Sequence, residues 1–295
     1  MKKSLKVFIA SGLLIAALPA AAQFTLSGSN VNSWGAYGDA NNGTFSGTYN
    51  GPSTVFSNFR VTGTLNSVAP ATWGEDSVFD FTNTGDSSFF QFRPELLSDE
   101  YASLAVDRSV ETMIWVNSGA NFLATAFETF DDDTSGNDAV WANVSATMSG
   151  AVSATNLGVV ANSFTVDTRA SDFDTQLAIY SASGTLVAFN DDIDLAGGNF
   201  QSEIVASGLA DGNYYLVAGG YSTAMSDGYV VAGFSTDTEF GFLDMALNGS
   251  SIGSGSLGSN ELQVYSFTVG VVPEPATMSV FALGFAALLR RRKKA

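Results

Sequence analysis

The sequence predicts an all-β protein. Short stretches in which apolar and polar residues alternate with a period of two recur along the chain, and Gly, Asn, Asp and Ser separate them. Convincing amphipathic helix is missing from the body, where residues 94–110 are the only weak helical candidate. The 23 phenylalanines supply the bulk that the inner faces of packed sheets need.

Taken in order, the first predicted strands cover residues 77–82, 88–92, 111–116 and 122–127. The pattern resumes at 163–167, 176–180, 185–189, 214–218 and 229–232, and residues 261–269 alternate in the same way. Residues 171–192 read as a hairpin. An acidic corner at Asp172 and Asp174 leads in, Ser183-Gly184 makes the turn, and Asn190-Asp191-Asp192 ends it. A glycine turn at Gly212 then opens the strand that carries Tyr214 and Tyr215. Strands of this length and spacing suit a sandwich or jelly roll. The expected organisation is two tandem β-sandwiches, residues 23–149 and 150–270, joined by a run of small residues at 149–157.

Both ends read as targeting segments. Lys2, Lys3 and Lys6 precede an apolar core at 7–18 and small residues at 19–22, the layout of a secretory signal peptide (residues 1–22) cut after Ala22. At the other end, Pro273-Glu274-Pro275 is followed by a largely apolar run at 276–289 and by five basic residues that begin with Arg290, Arg291 and Arg292. Proline on both sides of Glu274 keeps that segment extended. Fourteen helical residues reach about 21 Å, short of the ~30 Å hydrocarbon core, which suits a transient membrane anchor. The basic end would stay cytoplasmic and the body would face outwards.

This three-part tail, residues 271–295, closely resembles the PEP-CTERM sorting signal of Gram-negative bacteria that make exopolysaccharide. The resemblance implies recognition by an exosortase-type membrane enzyme and cleavage near the tripeptide. It also implies transient inner-membrane insertion, followed by the outer surface or the extracellular matrix.

Composition narrows the chemistry. All but one of the 29 acidic residues lie in the body, Glu274 being the exception, against only Arg60, Arg93, Arg108 and Arg169. Such a field repels nucleic acid and favours cations. The chain has neither Cys nor His, which removes disulfides, Ser-His-Asp and Cys-His catalysis, and ordinary zinc sites. Residues 249–253 spell G-x-S-x-G and 253–258 spell G-x-G-x-x-G, but no histidine can activate Ser251 and a strand pattern follows the glycines. Both motifs are expected to be flexible turns.

The second half, about 161–268, resembles a bacterial pre-peptidase C-terminal-type β-sandwich, carried by the Asp172–Asp192 hairpin and the Tyr214-Tyr215 strand. Related domains assist localisation or substrate binding, and some bind calcium. Two acidic groups are candidate Ca²⁺ ligands. One is Asp172, Asp174, Asn190, Asp191 and Asp192. The other is Asp131, Asp133 and Asp138, where a D-x-D-x-S-G opening lacks its twelfth-position acid because Ala142 stands there. Turn-making by Asp and Asn is the competing explanation for both groups.

The expected protein is therefore exported, non-enzymatic, and part of a cell surface, exopolysaccharide matrix or biofilm. A carbohydrate-binding module for exopolysaccharide is the alternative; Trp34, Trp73 and Trp141 are candidate stacking residues, but a place as core or rim residues of their sandwiches is the preferred expectation for them. A secreted hydrolase with paired carboxylates is a distant third.

Overall fold

A computed structural model describes residues 22–69, 72–85, 89–130 and 136–270. The signal peptide to residue 21, the sorting tail with Pro273, Glu274, Pro275 and Arg290 to Arg292, and the acidic pair Asp131 and Asp133 lie outside the described residues.

The described chain is all-β apart from one short 3₁₀ turn. Its first strands are β1 (Gln23–Gly28), β2 (Val31–Ser33), β3 (Thr44–Thr48), β4 (Thr54–Ser67) and β5 (Ser77–Asn83). Next come β6 (Phe89–Phe92), β7 (Ser103–Val116), β8 (Asn121–Glu128), β9 (Ala139–Ser149) and β10 (Thr155–Val160). The second half adds β11 (Phe164–Asp167), β12 (Thr175–Ser181), β13 (Leu186–Asn190), β14 (Glu203–Ala206) and β15 (Gly212–Gly220). It closes with β16 (Ala224–Ser226), β17 (Tyr229–Val231), β18 (Gly241–Leu247), β19 (Ser250–Leu257) and β20 (Gln263–Val269).

Two sandwiches result. In the first, a sheet ordered β1-β9-β4-β7-β17-β16, with β2 also on β9, faces the sheet β3-β8-β5-β6. Aromatic rings fill the space between them. Phe59 of β4 meets Phe81, Phe90 and Phe92 edge-on at 4.9–5.3 Å, the geometry that phenyl quadrupoles favour. In the second, β10-β20-β15-β12-β13 faces β14-β11-β18-β19 over Val166, Leu177, Ile179, Leu216, Met245 and Phe267.

The two halves are not separate in their hydrogen bonding. The β16–β17 hairpin belongs to the second half by sequence, yet β17 pairs antiparallel with β7, Val230 opposite Met113. The tandem arrangement expected from the sequence is amended here: a strand pair from the second half completes a first-half sheet. The reason is apolar surface on both faces of β12, which is buried at nearly every position. Its Ala178 and Tyr180 turn away from the second core and pack with Met113, Val217, Val230 and Val264 in a third cluster. Trp115 of β7 stacks on Tyr180 at 5.0 Å and donates its indole N–H to Ala182 O at 3.2 Å. Gly184, in the β12–β13 turn at φ +91°, has no room for a Cβ, which would meet Trp115 at 2.7 Å.

Two further expectations change. The helical candidate at 94–110 is an irregular segment followed by β7, which pairs with β4 over most of its length. Long-range pairing overrides a local pattern there. The G-x-G-x-x-G glycines lie largely in β19 and not in a flexible turn. Gly253 is small because the Tyr265 hydroxyl occupies the space of a Cβ.

Candidate functional site

The β12–β13 hairpin brings its two ends together, with Leu177 opposite Asn190. Asp174, just before β12, and Asp191 and Asp192, just after β13, are thereby held at one end of the second sandwich. One carboxylate oxygen from each lies within 4.8 Å of the others. All three side chains are half-buried, and Oδ1 of each is shielded from solvent without a hydrogen-bond partner. Burial, then the charges of Asp191, Asp192 and Glu239, pushes the Asp174 carboxyl up to about 7. Asp191 is raised as well, by burial first, while a hydrogen bond from Gln176 opposes the rise.

The other two residues proposed with them have different duties. Asp172 is exposed, and its Oδ1 accepts the Phe242 N–H at 2.6 Å, tying the loop before β12 to β18. Asn190 Oδ1 accepts the Glu203 N–H at 2.9 Å, and its Nδ2 donates to Asp192 O at 3.1 Å. Both serve as backbone staples, because a short polar side chain beside a free N–H closes onto it. Glu239 was not legible as part of this site. Its Oε2 accepts the Asp174 N–H at 3.2 Å, an approach made only by folding.

Large apolar side chains rim this acidic end. Tyr221, Phe240, Phe242 and Phe200 are exposed. Backbone bonds tie three of them to this end: Tyr221 N–H donates to Asp174 O at 3.1 Å, Asp172 N–H to Phe242 O at 3.1 Å, and Thr175 N–H to Phe200 O at 3.2 Å. The tryptophans named from the sequence are elsewhere. Trp141 is fully buried, Trp34 half-buried and Trp73 partly exposed.

Asp138, the described member of the first acidic group, lies inside the first sandwich and not on a loop surface. Near it is Glu128, the last residue of β8 and opposite Ser77 in the β5–β8 register. Glu128 is 1% exposed, and Asp138, Ser33 and Ser77 are each at 0%. Burial, reinforced by the nearby Asp138 and Asp76 charges, pushes the Glu128 carboxyl up to about 9.

The tail is what known proteins match. A family profile described as the PEP-CTERM protein-sorting motif matches residues 271–293. The chain is an exported protein of the exosortase-sorted kind. Exosortase-type enzymes recognise such signals, and the motif implies secretion and sorting to the cell envelope. That match ends at the tail, and the pre-peptidase C-terminal-type reading of the second half gains nothing from it. No curated protein matches the chain.

Proposed function

We propose that this is a non-enzymatic surface or matrix protein of a Gram-negative bacterium. It is associated with exopolysaccharide or biofilm, and an exosortase-type enzyme removes its tail during export. The sorting motif at 271–293 carries the reading. A body with an excess of acids and no lysine or histidine supports it, since such a surface stays soluble in a crowded anionic matrix. Deleting the exosortase should leave the chain in the inner membrane with its tail attached. Unchanged arrival at the surface in the deletion strain would contradict the proposal.

Calcium is part of this reading. Three carboxylates that converge within 4.8 Å, each with one oxygen lacking a partner, are a hard-cation donor set, and a bound Ca²⁺ would relieve their mutual repulsion. A pre-peptidase C-terminal-type role for the second half, in localisation or ligand binding, is consistent with this placement.

The second reading, a carbohydrate-binding module, is favoured by one observation. Tyr221, Phe240, Phe242 and Phe200 stand exposed around the same acidic end, and rings of this kind stack on sugar faces. Retention of the purified chain on exopolysaccharide, and its loss in Tyr221→Ala/Phe240→Ala, would favour the module over a purely structural role.

A further inference from the structure

The outward face of the large sheet in the first sandwich is a continuous hydrogen-bonding surface. Strand alternation turns Phe24, Leu26, Phe59, Val61, Ala146 and Met148 into the core, so the residues between them face out. The register aligns Thr25, Thr147, Arg60 and Ser109 as one row across β1, β9, β4 and β7. Ser27, Ser145, Thr62 and Asp107 form the next. An open groove of about 610 Å³ lies over these four strands, and every described side chain that lines it is polar.

Arg60 and Asp107 are the charged members of that lining, and they cancel. The guanidinium holds the carboxylate through two bonds, at 2.7 and 2.6 Å. Lateral hydrogen bonds fix the neighbours as well. The Thr25 and Thr147 hydroxyls meet at 3.1 Å, as do those of Ser27 and Ser145, and Asn58 Nδ2 donates to Ser109 Oγ at 2.9 Å. A hydroxyl carries one donor and two acceptor sites, so each bonded pair keeps both kinds of capacity for a ligand. Side chains held in place beforehand lose little freedom on binding.

This lining selects a ligand that is itself polar along its length, since sites for small apolar molecules are mainly hydrophobic. A phosphate or a uronate would need an unpaired cation, and the one guanidinium here is neutralised within a body rich in acids. A neutral ligand dense in groups that both donate and accept hydrogen bonds fits, and sugar hydroxyls are such groups. An open groove takes the internal residues of a polymer, whose ends need no enclosure.

We propose that this face binds a chain of neutral polysaccharide through hydrogen bonds, without aromatic stacking. The proposal rests on the matrix reading for its setting, and it is independent of the aromatic end of the second sandwich. Each hydrogen bond replaces one to water and adds little net affinity, so binding at a single groove is weak.

Affinity electrophoresis in native gels suits weak binding. The purified chain is run through gels that contain dextran, mannan or galactan, with alginate as an anionic control. At least one neutral polymer should retard it, and more than alginate does. Arg60→Ala/Asp107→Ala keeps the net charge and removes a half-exposed pair, and should weaken retardation about tenfold. Thr147→Val keeps the shape, removes one hydroxyl and should weaken it less. Tyr221→Ala/Phe240→Ala should run as the parent does. Absence of retardation in every neutral gel, equal or stronger retardation by alginate, or retardation that survives both groove variants would overturn the proposal. So would a parent that dimerises and turns monomeric in Arg60→Ala/Asp107→Ala, which would give the face to a second copy. Groove-dependent retardation by a neutral polymer, with no retention on the exopolysaccharide of the producing cell, would uphold the groove and sink only the matrix reading.

Discussion

The two acidic centres of this protein are built in opposite ways. Asp174, Asp191 and Asp192 sit half-buried on the loops that open and close a hairpin, next to exposed aromatic rings. Glu128 and Asp138 are fully buried, at the end of β8 and just before β9. The first centre can relax, hydrate or release an ion at the cost of a loop movement. The second cannot change its charge without disturbing the packing around it. Carboxylates on loops tune binding, and fully buried carboxylates govern stability.

The largest effect expected from this contrast is on pH dependence without metal. Burial raises Glu128 from its ordinary 4.5 to about 9, so between those values the folded chain holds a proton that the unfolded chain has released. In chelator, stability should be full below about pH 4.5 and should fall as pH rises towards 9. Asp174, raised to about 7, adds a loss of the same sign over a lower and narrower pH window. Melting temperatures across this range should decline steeply in the parent and much less in Glu128→Gln. A parent that is more stable at pH 8 than at pH 5 in chelator would break the contrast.

The next effect tests whether the centres share one folding unit. Gly184→Val would drive a side chain into Trp115 at a left-handed backbone position, and should destabilise the chain by about 2–4 kcal/mol. Because β17 completes a first-half sheet, heating the full chain should give one transition, and Gly184→Val should lower it as a whole. Two transitions, of which only one moves, would show that the halves melt independently. A fragment of residues 150–270 should be less soluble than the full chain, since Val230 and Tyr180 lose Met113 and Trp115.

Calcium at the hairpin comes third. At a hundredfold excess over its Kd, an ion bound only by the native state adds about 2.7 kcal/mol. Ca²⁺ should therefore raise the melting temperature beyond an equal ionic strength of NaCl, and Asp191→Ala should remove that site's share. An equal gain from Mg²⁺ or NaCl would reduce the effect to screening. The smallest effect is Asp172→Asn, which keeps the oxygen that accepts the Phe242 N–H. Calcium affinity should change less than twofold. A tenfold loss would return Asp172 to the ligand set.

Much of the fold was legible because half-buried strands advertise themselves. The segment at 122–127 alternates in burial, while those at 77–82 and 176–180 are buried on both faces, and all three are interior strands of their sheets. β4 and β9 were harder to see, since their outward faces carry small polar residues such as Thr62, Ser145 and Thr147 that dilute the alternation. The hairpin acids were legible for the same reason that makes them accessible: clustered Asp and Asn on loops stand out. Glu128 was not, because it ends an otherwise apolar strand, and its isolation from positive charge exists only in the folded packing. Glu239 reaches Asp174 across more than sixty residues of sequence, a separation that no local pattern records.

Export and processing underlie every role assigned to these centres, and intact mass of the chain recovered from outside the cell tests them most directly. The account predicts a species lacking residues 1–22 and everything after the PEP tripeptide. A surface-recovered chain that still ends in Arg290 to Ala295 would contradict it.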